Sequence, residues 1–211
     1  MQSNSSRAEI LQRIADAPKR QAAILHNANN TDAVYKPIQP NALECFISEL
    51  EAISGKCVLC EDEADVYVQL SAFVKEQGFT YIYCLDESIS AQLKIANIPF
   101  SSRNDDFIEM KAGITRCEIL VARTGSIIMT SVGDSGRQMN VFPPVHIVIA
   151  KESQIVNYPE DALVAIQNKY GHQLPSTIST ITGPSRTADI EKTLVLGAHG
   201  PKEFVVFLSK G

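Results

Sequence analysis

With 211 residues, 45% of them hydrophobic, the chain can bury the core of one domain and carry a small appendage besides. A formal net charge of -5 supplies no positive field, so neither nucleic acid nor an anionic membrane surface is an expected partner. No apolar run approaches the ~20 residues that span a bilayer, and no apolar signal core follows Met1 to Arg7, so the expectation is a cytoplasmic protein without membrane insertion.

The chain opens as a helix: Ser6 and Glu9 have capping-box spacing, and Ile10, Leu11 and Ile14 fall on one side. Residues 27–39, with Asn29, Asn30, Thr31, Asp32 and Pro37, read as an exposed connector. The boundary is therefore set between a helical appendage over residues 1–36 and a main domain over residues 37–211. Asn41 with Glu44 repeats the capping logic ahead of the helical stripe Leu43, Phe46, Ile47, Leu50 and Ile53, with Gly55 as its stop.

Alternation follows. Cys57 to Cys60 reads as a buried strand, Ala64 to Glu76 as a helix ended by Gly78, Tyr81 to Leu85 as a strand and Ile89 to Ala96 as a short helix. Cys117 to Ala122 is an apolar strand entering a turn at Gly125, and Ser126 to Ser131 returns from it as a hairpin. Val145 to Ala150 is a strand, Asp161 to Lys169 a helix, and Ile178 to Thr182 and Phe204 to Leu208 are strands. Strands alternating with helices predict an α/β fold whose mainly parallel sheet is flanked by helices, with one β-hairpin added.

The five cysteines, Cys45, Cys57, Cys60, Cys84 and Cys117, are odd in number and sit mostly inside apolar segments, as buried thiols do. Cys57 and Cys60 have the spacing of a redox or metal motif, but on a strand they point to opposite faces. No second pair accompanies them, and no run of closely spaced cysteines can ligate an iron–sulfur cluster.

The chemistry concentrates in loops of the second half, each open to two readings. Thr124-Gly125-Ser126 is either a donor-lined cup for an anion or carbonyl, or an ordinary hairpin turn. In Gly133-Asp134-Ser135-Gly136-Arg137 the arginine either offers a planar fork to a carboxylate or phosphate, or is solvated. His146, after Pro143-Pro144, is an acid, base or ligand, or else a satisfied core histidine. Ser185 or Thr187 can cap a helix running through Asp189 and Glu191, whose start would take an anion with help from Arg186. If Asp189 or Glu191 merely complements the dipole, that element is structural. His199, between Ala198 and Gly200-Pro201, can reach the same mouth.

Several motifs in register resemble the LUD domain of the LutC/YkgG family: Gly113-Ile114-Thr115 with Cys117, Thr124-Gly125-Ser126, Gly136-Arg137 with Pro143-Pro144-Val145-His146, Thr182-Gly183-Pro184-Ser185 with Ala188-Asp189-Ile190-Glu191, and Gly197-Ala198-His199-Gly200-Pro201. The resemblance implies a NagB/RpiA/CoA-transferase-like α/β fold. It also implies a LutC-like accessory subunit of bacterial L-lactate oxidation to pyruvate, a non-redox member of a complex whose iron–sulfur clusters lie in partner subunits. Family members often carry an acidic residue just before the Thr-Gly turn, where this chain has Arg123. No flavin or dinucleotide fingerprint is present, so no cofactor is expected in this chain. The residues expected to bind a small anionic ligand are Thr124, Gly125, Ser126, Arg137, His146, Ser185, Arg186 and His199. The competing reading is a stand-alone isomerase, CoA-transferase or hydrolase of the same fold group, with Asp134, Asp189, Glu191 or His146 as nucleophile or base.

Overall fold

The computed structural model describes residues 3–16, 36–132, 137–187, 195–197 and 199–210. The chain divides into two compact units, Met1–Pro37 and Ile38–Gly211. The first contains helix α1 (Ser3–Asp16), which begins ahead of Ser6 and leaves Ile10, Leu11 and Ile14 exposed. No helix among the described residues is long and apolar enough to cross a membrane.

The second unit runs α2 (Ala42–Ala52), β1 (Lys56–Cys60), α3 (Glu63–Glu76), β2 (Ile82–Cys84), α4 (Glu87–Ile95), β3 (Phe100–Ser101), β4 (Ala112–Arg116), β5 (Ile119–Val121), β6 (Ser126–Thr130), β7 (Val145–Lys151), β8 (Ile155–Val156), α5 (Pro159–Tyr170), β9 (Ile178–Ile181), β10 (Arg186–Thr187), β11 (Val195–Leu196) and β12 (Glu203–Ser209). Capping fixes where the first helices start. Asn41 accepts from the Glu44 amide at 2.9 Å, and Asp62 and Asp86 do the same for α3 and α4.

Strands β1-β12-β7-β4-β2-β3 form a six-stranded sheet in which every pair is parallel. Both faces are covered, so its central strands are almost continuously apolar. Along β12, Val205 and Phe207 pack toward α3 and α4, among Val66, Leu70, Ile89 and Leu93. Phe204, Val206 and Leu208 pack the other way, against Phe46 and Leu50 of α2 and Leu120, Ile127 and Met129 of a second sheet. That second sheet, β8-β5-β6-β9, contains the expected hairpin of β5 and β6, and α5 covers its far side through Ala162 and Ile166.

The α/β class, the parallel sheet and the hairpin match the sequence expectation. Strand β4 does not figure in it, although it lies inside the sheet between β7 and β2. Its residues Ala-Gly-Ile-Thr-Arg carry one large apolar side chain, so the usual strand signal is weak. Gly113 is required there by space: a Cβ would lie 2.6 Å from both the Met139 methyl and Pro143 Cγ. Of the two starts expected for the helix through Asp189 and Glu191, the one at Ser185 is also corrected, while one after Thr187 falls outside the described residues. Arg186 and Thr187 are in an antiparallel ladder with Val195 and Leu196, so tertiary pairing overrides the local capping signal. The remainder of that stretch, residues 188–194, lies outside the described residues.

Candidate functional site

Thr124-Gly125-Ser126 closes the β5–β6 hairpin directly against α2. Gly125 has φ +58, and a Cβ on it would lie 2.3 Å from the Leu50 nitrogen and 2.5 Å from the Glu49 carbonyl carbon. Only glycine allows that approach. Two donors of the turn are already engaged: the Gly125 amide donates to the Ala122 carbonyl, and Ser126, only 2% exposed, bonds the Thr182 hydroxyl at 2.8 Å. Arg123 is paired as well, its guanidinium lying 2.6 Å from the Glu49 carboxylate on α2. The cation standing where the resembling family often has an acid therefore meets an anion on the facing helix.

The C-terminal loops converge on the same helix. A Cβ on Gly183 would come 2.8 Å from the Ile53 carbonyl, and Arg186 donates to that carbonyl and, at 2.9 Å, to the Ser54 hydroxyl. Arg186 thereby caps the carboxyl end of α2, a favourable place for a cation. The Ser185 amide donates to the Pro201 carbonyl at 2.8 Å and its carbonyl accepts from the Gly197 amide at 2.9 Å. The Lys202 amide donates to Pro144 at 2.8 Å, which draws the Pro143-Pro144 loop into the same cluster. His199 is exposed beside it.

His146, second residue of β7, has no solvent exposure. Its ring faces the α2 side of the sheet, with Phe204 edge-on at 5.5 Å and Gly113 opposite it across the β4–β7 ladder. Nε2 lies 2.8 Å from Oγ1 of Thr115, itself fully buried, while Nδ1 has no hydrogen-bond partner among the described residues. Burial pushes the imidazole down to about 4, so the ring is neutral at physiological pH. Oδ1 of Asn140 is a second buried atom without a partner among the described residues, on the 3₁₀ turn whose Met139 methyl fills the space above Gly113. Unmet polar atoms are rare in folded interiors and mark places where a ligand or water completes the bonding. Sequence reading singled out neither Asn140 nor the bond made by Thr115. Asn140 carries no local signature, and Thr115 entered only as part of the Gly113-Ile114-Thr115 motif, with no role of its own.

The predicted residues thus fall into three places. Thr124, Gly125, Ser126 and Arg186 gather around α2, and Ser185, next to Arg186, is joined to the loop containing His199. His146 is buried at the amino end of β7. Arg137 donates to the Ser176 hydroxyl at 2.6 Å, and Ser176 bonds Ser131 just beyond the Thr130 end of β6. Arg186 follows β9 past the Ser126 end, so the two arginines sit at opposite ends of the β6–β9 ladder. Asp134, Asp189 and Glu191 lie outside the described residues. The paired cysteines point to opposite faces as expected: Cys57 packs on the α2 side and Cys60 on the α3 side. Burial, reinforced by nearby Glu51, pushes the Cys57 thiol up to about 12, and burial with nearby Asp65 takes Cys60 to about 11, so neither is a ready thiolate. Among the described residues no group of three or more His, Cys, Asp or Glu could hold a metal ion.

Residues 43–209 match the model of the LUD domain. The chain belongs to the LUD domain family. This LUD domain is similar to lactate utilization protein C of Geobacillus sp. (strain WCH70), 40% identical over 47% of this chain and 42% of that protein. It is 40% identical to lactate utilization protein C of Bacillus subtilis (strain 168), over 44% of this chain and 40% of that protein. The match to lactate utilization protein C of Anoxybacillus flavithermus reaches 70% of this chain and 60% of that one, at 31% identity. The chain therefore spans about two fifths of the length of the first two relatives. A DUF162 family protein from Deinococcus radiodurans shares the fold, with a TM-score of 0.60 over 80% of this chain and 96% of that one, at 18% identity.

Proposed function

We propose that this LUD domain serves L-lactate utilization as a LutC-like accessory subunit, binding a small oxygen-rich ligand while iron–sulfur partner subunits carry the electrons of lactate. The similarity to several proteins named lactate utilization protein C carries the reading. The buried site supports the ligand-binding half: a neutral imidazole has a nitrogen unmet among the described residues, a polar atom away from water that a ligand's polar group would complete. The competing hydrolase reading finds less support. Thr115 and His146 have the spacing of a nucleophile and its base, but among the described residues no carboxylate orients Nδ1.

The test is reconstitution of L-lactate oxidation from the purified partner subunits with and without this chain, alongside growth of a deletion strain on L-lactate. Oxidation and growth that depend on the chain are expected. Unchanged rates and growth in its absence would overturn the role.

A further inference from the structure

We infer that Thr115 locks His146 in the Nδ1–H tautomer, and that this buried N–H is a subsite for a carbonyl or carboxylate oxygen of a small ligand. The inference deepens the proposed function and rests on its claim that this domain binds such a ligand.

The tautomer follows from counting unmet groups. The Thr115 hydroxyl makes one hydrogen bond among the described residues, the 2.8 Å contact with Nε2 of His146. If Nε2 carried the proton and donated it to Oγ1, the Thr115 O–H would lack an acceptor and Nδ1 would lack a donor, leaving two buried groups unsatisfied. If Thr115 donates to Nε2 instead, Nδ1 carries the proton and it alone is unmet. The second arrangement is favoured because each unmet buried group carries its full desolvation cost. A doubly protonated ring is disfavoured, because the site has no solvent exposure and no charge partner among the described residues.

His146 is therefore a neutral hydrogen-bond donor, and Nδ1 has no lone pair with which to act as a base. A donor fixed in an apolar setting, with Phe204 on its edge, selects an acceptor oxygen. The Asn140 Oδ1, one residue beyond Met139 and also unmet among the described residues, is an acceptor and so complements a ligand hydroxyl.

The experiment uses the full chain labelled with 15N-histidine at neutral pH, with pyruvate, L-lactate and acetate as separate probes. Nδ1 is expected to resonate as protonated and Nε2 as unprotonated, Thr115→Val is expected to bring in the second tautomer, and pyruvate is expected to move the Nδ1 resonance. An asparagine amide reproduces a donor near Nδ1, whereas a glutamine amide reaches the Nε2 position. His146→Asn should then keep pyruvate affinity within a few-fold, while His146→Gln loses roughly ten- to a hundredfold. A merely structural histidine gives the opposite order, with Gln preserving the Thr115 bond. A wild-type Nε2–H tautomer, an Nδ1 resonance unmoved by all three probes, or wild-type affinity in His146→Gln would each overturn the inference. Pyruvate-dependent shifts in a protein whose deletion leaves growth on lactate intact would keep the subsite and sink the lactate role. Lactate-dependent growth with no shift would do the reverse.

Discussion

Ser126 and Thr182, 56 positions apart, share a hydrogen bond of 2.8 Å between their hydroxyls. Through it the two glycine turns are joined, and both rest on the backbone of α2, Gly125 at Glu49 and Leu50 and Gly183 at Ile53. The bond fixes the spacing of the two turns where β6 begins and just after β9 ends. Helix α2 thus acts as a strut beneath the family's motif loops, and most donors there are already engaged by the protein itself.

Gly125→Ala tests the strut. Alanine would meet backbone at 2.3 Å as well as an unfavourable positive φ, and backbone cannot step aside like a side-chain tip. A loss of about 3 kcal/mol or more is expected in urea unfolding. Gly78→Ala, at a similar φ of +67 but with nothing within 4 Å, isolates the conformational part and should cost about 1 kcal/mol.

Arg123→Glu restores the charge common in the resembling family and sets two carboxylates face to face. The Arg123–Glu49 pair is partly exposed, with side chains 26% and 38% accessible, so the pair itself contributes no more than about 1 kcal/mol. Thermal melts should show Arg123→Glu destabilised and the double variant with Glu49→Lys restored. If Glu49→Lys brings no recovery, the two side chains are not coupled.

The two arginines at the ends of the β6–β9 ladder should differ. Arg186 holds two acceptors at the carboxyl end of α2, so Arg186→Ala should lower stability by about 1 kcal/mol. Arg137 is exposed and bonds a single serine hydroxyl, so Arg137→Ala should stay within about 0.5 kcal/mol of wild type in the same denaturant series.

His146 gives a pH signature. Its ring titrates at about 4 when folded and near 6.5 when unfolded, so between these values the unfolded chain binds the extra proton. Stability is therefore complete above pH ~6.5 and falls as the pH drops toward 4, by up to about 3 kcal/mol. Asp86 and Glu118, held below the usual carboxylate range by hydrogen bonds and nearby cations that outweigh burial, lose their contributions at lower pH still. Urea midpoints from pH 7 to pH 4 should slope in wild type and flatten over this window in His146→Gln.

Much of the fold was legible because its signals are local. Asn41 followed by Glu44 announces α2, and the unbroken apolar runs of β7 and β12 announce strands covered on both faces. Strand β4 was not legible, because glycine at position 113 is chosen by Met139 and Pro143, residues that reach it only after folding. Ser185 misled as a helix cap for a related reason: the partner that decides the conformation of Arg186 and Thr187 is β11.

The sequence by itself determined the alternation of elements, the opposite facing of Cys57 and Cys60, and the family motifs, since period, capping and spacing act within a few residues. The tertiary structure alone decided that Arg123 finds Glu49, that Arg137 and Arg186 part company, and that a threonine from β4 completes one nitrogen of His146 and leaves the other bare. Such pairings join positions tens of residues apart, and the local chemistry of each residue is compatible with many partners until the packed sheets leave room for one.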